Sequence, residues 1–124
     1  MIKRILAQKI ESKLFKGKAL IVLGPRQVGK TTLVQELLRN KEYLFLDGDD
    51  PVTRDVLQGA GTVKLQSIIG KHNIVFIDEA QRIDDIGITL KLITDQFKHV
   101  QLLVSGSSAL EKNNHTQECK IRLN

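Results

Sequence analysis

Apolar residues along the chain follow two alternating patterns: short continuous runs, and stretches in which they recur every three or four positions. The runs Ala19-Leu20-Ile21-Val22-Leu23, Tyr43-Leu44-Phe45-Leu46, Ile74-Val75-Phe76-Ile77 and Val100-Gln101-Leu102-Leu103-Val104 have the form of strands in a parallel sheet covered on both faces. Between them, Leu33, Leu37 and Leu38 give a buried side to a helix from about Lys30 to Arg39, with Asn40 as its stop. Asp50-Pro51 reads as an N-cap and first-turn proline, which predicts a short helix over residues 51 to 58 closed by Gly59. A further helical patch spans Val63 to Ile69, and Ile86, Leu90, Ile93 and Phe97 step by four, three and four along another helix. Ile2, Ile5, Leu6, Ile10 and Leu14 predict a leading amphipathic helix within residues 1 to 17. Strands that alternate with helices predict an α/β fold: a three-layer parallel sheet of about four strands, incomplete, with helices on both faces and right-handed crossovers.

Composition narrows the class without changing this picture. The 124 residues, 41% hydrophobic and 27% charged, suit one domain with one modest core. The apolar runs stop at about five residues, far short of a membrane span, and Lys9, Glu11 and Lys13 interrupt any secretory core at the start. A cytoplasmic protein with no membrane contact is expected. Cys119 is the only cysteine, and His72, His99 and His115 are scattered, so neither a disulfide nor a zinc site is expected. The net charge of +5 resides in residues 1 to 18, where Lys3, Arg4, Lys9, Lys13, Lys16 and Lys18 face only Glu11. The excess describes either the solvated face of a helix packed on the core or a footprint for nucleic acid.

The chemistry is concentrated in Gly24-Pro25-Arg26-Gln27-Val28-Gly29-Lys30-Thr31, a G-x-x-x-x-G-K-T phosphate loop between a strand and a helix. Glycines let the backbone wrap closely enough for successive N–H groups to face the phosphates, and the helix that follows presents its positive end to the same anion. Gly24, Pro25, Arg26, Gln27, Val28, Gly29, Lys30, Thr31 and Thr32 are therefore expected to hold a nucleoside triphosphate, taken as ATP. Arg26 either reaches phosphate or is an exposed structural arginine.

An acidic residue ending an apolar strand is the expected second half of such a site. Asp78 ends the run at Ile77 and is expected to hold Mg²⁺ alongside the Thr31 hydroxyl, while Lys30 neutralises the β- and γ-phosphates. Glu79, one residue on, is placed to orient or deprotonate the attacking water, help worth typically about 10²- to 10⁴-fold. Asp47, Asp78 and Ser105 each follow a strand, so their side chains are expected in one crevice at the carboxyl ends of the sheet. There Ser105 or Ser107 either contacts the γ-phosphate and its water or serves a local turn; Asp47 and Asp49 are weaker candidates.

The strings Gly24-Pro25-Arg26-Gln27-Val28-Gly29-Lys30-Thr31-Thr32-Leu33, Leu46-Asp47, Ile77-Asp78-Glu79-Ala80-Gln81 and Val104-Ser105-Gly106-Ser107-Ser108-Ala109-Leu110 resemble the prokaryotic AAA-type ATPases of the AAA+ superfamily that carry a second, carboxy-terminal domain. The resemblance covers residues 1 to about 110. It implies that Asp78 and Glu79 are the acidic pair, that Ser105 stands where such ATPases place a polar γ-phosphate sensor, and that the fourth strand lies between the first and third. After Leu110 the likeness ends, which predicts a truncated domain with an irregular tail over 111 to 124 and no fifth strand. Residues 19 to 23 would then form an exposed sheet edge open to self-association, and no arginine finger can be assigned. The expected function is Mg-ATP binding with slow hydrolysis. The alternatives are a nucleotide-binding remnant, a nucleic-acid or protein interaction module without turnover, and a small P-loop kinase, for which no arginine-bearing lid is visible.

Overall fold

The computed structural model describes residues 2–25, 29–112 and 118–123. The chain runs α1 (Ile2–Ser12), β1 (Ala19–Leu23), α2 (Lys30–Leu37), β2 (Leu44–Asp47), α3 (Pro51–Leu57), α4 (Thr62–Ile69) and β3 (Ile74–Asp78). A short 3-10 turn at Ala80–Arg82, α5 (Ile86–Gln96), β4 (Gln101–Gly106), a second 3-10 turn at Ser108–Lys112 and β5 (Glu118–Arg122) complete it. Every expected strand and helix is present, with ends displaced by a residue or two; the leading helix is the exception and stops five residues early, at Ser12.

All strands are parallel, in the order β2-β3-β4-β1-β5. β4 lies between β1 and β3, as the resemblance implies. Alternate residues of each strand face opposite layers. Leu20 and Val22 of β1, Phe76 of β3 and Leu103 of β4 pack with Ile10 of α1, Leu14 just after it, and Leu33, Val34 and Leu38 of the α2 region. Ala19, Ile21 and Leu23, with Val75, Ile77, Leu102 and Val104, meet Leu57, Leu65 and Ile69 from α3 and α4 and Ile86, Leu90 and Ile93 from α5. The continuous apolar runs of β1, β3 and β4 are thus explained by burial on both sides, whereas the edge strand β2 is half-buried, with Phe45 38% exposed. The Asp50 side chain accepts a hydrogen bond from Val52 N at 2.9 Å, and Pro51 occupies the first turn of α3 as expected.

Two expectations fail. Among the described residues the sheet has five strands, because Glu118–Arg122 pairs in parallel with β1 from Ala19↔Glu118 to Leu23↔Arg122. β1 is therefore an interior strand, the tail is not irregular at 118 to 122, and self-association through a β1 edge has no structural basis. The edges are β2 and β5. The strand escaped detection because its own residues form no continuous apolar run: among Glu118, Cys119, Lys120, Ile121 and Arg122 only Ile121 is buried. The apolar stripe of α1 is also narrower than its spacing suggests, since Ile5 is 66% exposed.

Candidate active site

The site is assembled at the carboxyl ends of β1, β3 and β4, where open α/β sheets collect ligands. Gly24 continues β1 and donates its N–H to Gly106 O at 3.1 Å, tying the start of the phosphate loop to the end of β4. Arg26, Gln27 and Val28 lie outside the described residues. The loop closes at Gly29, which has φ 84° and caps α2. That left-handed conformation carries no Cβ penalty in glycine, and it starts α2, whose first N–H groups have no intrahelical partner. Thr32 in the first turn is exposed.

Lys30 is only 1% exposed, so its ammonium must find partners inside the protein. It donates to Gly24 O at 2.9 Å and Pro25 O at 3.0 Å and stands 3.9 Å from Glu79 Oε2. Thr31 Oγ1 reaches both carboxylate oxygens of Asp78, at 2.7 and 2.8 Å. Phosphate loop and acidic strand tip are therefore joined directly, as the sequence predicts. Two hard oxygens, a hydroxyl and a carboxylate, suit Mg²⁺, which binds through one or two carboxylates and completes its shell with water and substrate phosphate. Among the described residues no group of three or more His, Cys, Asp or Glu side chains gathers into a protein-only metal cage.

Ser105 is fully buried. Its hydroxyl donates to Asp78 Oδ1 and accepts the Glu79 N–H at 3.2 Å, so it braces the acidic pair from beneath. Glu79 has φ 50° and ψ 47°, a left-handed conformation costly for a residue with a side chain, of order 1–3 kcal/mol where such strain is imposed by its surroundings. The turn swings the Glu79 carboxylate back toward Lys30. Asp47 pairs with Asp78 in register across β2 and β3, yet its carboxylate accepts from Asp49 N at 2.9 Å. It belongs to the crevice wall, and Asp49 meets Arg82 at 3.4 Å.

Gln81, quoted in the motif but given no role by sequence reasoning, is the missing bracket. Its Nε2 donates to Glu79 Oε1 at 2.8 Å, and its Oε1 accepts from Ser107 N at 3.2 Å. A backbone N–H can face only an acceptor, which fixes the amide orientation and leaves the NH₂ group for Glu79. Ser107 and Ser108 also line a cavity of about 220 Å³ with Leu23, Gly24, Pro25 and Arg122. Arg122 lines this cavity only because β5 pairs with β1.

Gly48, after β2, donates to Asp78 O at 2.7 Å, and a Cβ there would collide with the backbone oxygens of Glu79 and Asp78. Backbone cannot retreat as a flexible side chain can. Gly48→Ala is accordingly expected to cost about 1–3 kcal/mol, the range for overpacking, read as a lower denaturant midpoint at unchanged slope. Wild-type stability in that variant would show that the β2–β3 junction is loose.

The comparisons agree with this geometry. A family model described as an AAA domain matches residues 16–121. The chain belongs to the AAA domain family. This establishes a nucleotide-binding P-loop module. Uncharacterized proteins of Mycobacterium bovis and Mycobacterium tuberculosis are each 28% identical over 108 residues, 86% of this chain and 24% of theirs. The chain thus spans about a quarter of the length of these curated relatives. Among solved structures, the Pif1 helicase of Candida albicans is similar with a TM-score of 0.60 at 14% identity, over 98% of this chain and 39% of the helicase. NtrX of Brucella abortus, solved with ADP, gives 0.59 at 13% identity, over 98% and 36%. These structures share the fold. No helix among the described residues is long and apolar enough to cross a membrane.

Proposed function

We propose that the chain binds Mg-ATP and hydrolyses its β–γ phosphoanhydride slowly, as a cytoplasmic ATPase module. The observation that supports this reading best is the cluster of Thr31, Asp78, Glu79 and Ser105, joined by hydrogen bonds, with the Lys30 ammonium paired to Glu79 at 3.9 Å.

The residues divide the work. Lys30 exchanges its carbonyl partners for β- and γ-phosphate oxygens when the triphosphate enters, and the first N–H groups of α2 face the same charge. Thr31 and Asp78 would hold Mg²⁺, which when bound neutralises phosphate charge in the transition state. Glu79 takes a proton from water as the water oxygen bonds to the γ-phosphorus. The bond from that phosphorus to the bridging oxygen breaks, and ADP leaves with the electron pair. Ser105 acts through Asp78 and Glu79, which it holds by hydrogen bonds. Gln81 positions the Glu79 carboxylate.

The binding step is tested by melting the intact chain with and without Mg-ATP. A ligand present at about 100 times its Kd stabilises the folded state by about 2.7 kcal/mol, which shifts Tm by several degrees. An unchanged Tm of folded protein at millimolar Mg-ATP would defeat the proposal. Full stabilisation by ATP in excess EDTA would instead remove Thr31 and Asp78 as magnesium ligands.

The role of Gln81 has its own test. Gln81→Met removes both hydrogen bonds with little change in volume, and Gly106→Ala disturbs the same amide, since its Cβ would lie 2.5 Å from Gln81 Oε1. Each is expected to lower single-turnover hydrolysis about tenfold, as misplacing a general base does, at unchanged Mg-ATP affinity. Combining Gln81→Met with Glu79→Gln should cause no further loss, because one acts through the other. Multiplying effects would show that Gln81 acts elsewhere.

A further inference from the structure

At the pole of the sheet opposite the phosphate loop, the connection from α1 to β1 reads Lys13-Leu14-Phe15-Lys16-Gly17-Lys18. Two cavities meet at Lys18. One, of about 410 Å³, is lined by Lys13, Lys16 and Lys18 among others; the second, of about 240 Å³, by Phe15, Lys18, Lys98 and His99 among others. No carboxylate lines either cavity among the described residues. The Lys13, Lys16, Lys18 and Lys98 ammonium groups have no ion pair there, whereas Arg39, Lys41, Arg82, Lys91 and Lys120 each face a carboxylate.

Phe15 lies amid these cations with 57% of its surface exposed. Its backbone is held in the left-handed region at φ 57°, an unusual state for an aromatic residue. What holds it is Gln101, 3% exposed at the start of β4. Gln101 Oε1 accepts the Phe15 N–H at 2.5 Å, and Gln101 Nε2 donates to Lys18 O at 3.0 Å. A buried amide thus fixes a strained turn that shows an aromatic ring to solvent between unneutralised lysines. Core packing does not require this, because the ring is outside the core.

We infer that this turn, with Lys98, is a binding surface for single-stranded nucleic acid, Phe15 stacking on a base and Lys13, Lys16, Lys18 and Lys98 facing the phosphates. Lysines alone would serve any polyanion. The exposed ring favours an unpaired strand, whose bases have free faces, over a duplex whose bases are stacked. The basic footprint expected on α1 is thereby located in the turn after it.

Anisotropy of a labelled oligothymidylate of about 20 nucleotides, titrated with the intact chain at 20 to 200 mM salt, tests the surface. Release of about 0.7 counterions per contacted phosphate on a single strand predicts a slope of log Kd on log salt near 3 for four lysines. Lys16→Glu/Lys18→Glu should weaken binding at least tenfold and flatten that slope. Phe15→Ser should weaken it about tenfold at an unchanged slope, a separation that damage to the fold would not produce. The melting shift by Mg-ATP should persist in both variants, since these residues lie at the starts of β1 and β4, away from Gly24 and Gly106 at the other ends of those strands. The ATP reading and this one therefore fail separately.

The inference is overturned if folded protein does not bind the oligonucleotide, or if the lysine variant binds as wild type. It is equally overturned if Phe15→Ser is silent while duplex binds as well as single strand. Binding confined to phosphatidylserine vesicles would reassign the surface to anionic lipid.

Discussion

Glu79→Gln is expected to reduce phosphate release by about 10²- to 10⁴-fold, the range for loss of a general base, while Mg-ATP affinity stays within a few-fold of wild type. The substitution is nearly isosteric and keeps an acceptor for the Gln81 NH₂ group, which lies 2.8 Å from Glu79 Oε1. It also leaves Asp78, with its Thr31 and Ser105 hydrogen bonds, untouched. The backbone of Glu79 is fixed by its own N–H to Ser105 Oγ at 3.2 Å, so the new side chain has no reason to leave the crevice. What disappears is the capacity to accept a proton and the negative partner of Lys30 at 3.9 Å. Affinity for the anionic nucleotide should not fall when a nearby negative charge is removed, and a modest rise is the expected direction. Single-turnover hydrolysis and equilibrium binding of a fluorescent ATP analogue, measured on one preparation, separate the two effects. Full turnover in Glu79→Gln would remove Glu79 from the mechanism; loss of binding would make it a structural residue.

The elements read correctly were the strands and helices whose burial leaves a local apolar pattern. A phosphate loop needs glycines at fixed separation, so Gly24 through Thr31 could be recognised without any fold. The parallel core needs strands apolar on both faces, and β1, β3 and β4 are buried throughout. Residues that act by meeting across the sheet were less visible. Gln81 gains its role from an N–H 26 positions away in sequence, and Gly48 from backbone oxygens of β3. Ser105 lies at the end of β4 against Asp78 and Glu79, and such carboxylate and backbone partners cannot be read from a string. β5 was hidden because its residues are mostly half-buried and polar, leaving Ile121 as the one buried apolar position. The Phe15 turn escaped because its organiser, Gln101, lies 86 residues away.

Lys30→Ala is expected to abolish the stabilisation by Mg-ATP and, separately, to lower the stability of the nucleotide-free protein. The first effect follows from the loss of the one described cation placed inside the loop. Truncating one partner of a buried charged hydrogen bond costs about 2–5 kcal/mol, and about 2 kcal/mol already weakens binding some 30-fold. At a nucleotide concentration near 100 wild-type Kd values, most of the expected rise of about 2.7 kcal/mol then vanishes. The second effect follows from what Lys30 does without ligand. Its removal leaves the carbonyls of Gly24 and Pro25 without their donor and Glu79, 5% exposed, without its cation; a buried group so orphaned costs about 1–3 kcal/mol, and more if charged. A lower basal Tm alone would therefore be ambiguous. Lys30→Met/Glu79→Gln resolves it, because removing both charges of a buried pair is often neutral or stabilising where removing one is not. The double variant should regain most of the basal Tm yet show no increment with Mg-ATP, separating the fold-supporting part of Lys30 from its phosphate-binding part. If either variant keeps the wild-type increment, the ammonium group does not contact the triphosphate and the site must be placed elsewhere on the sheet.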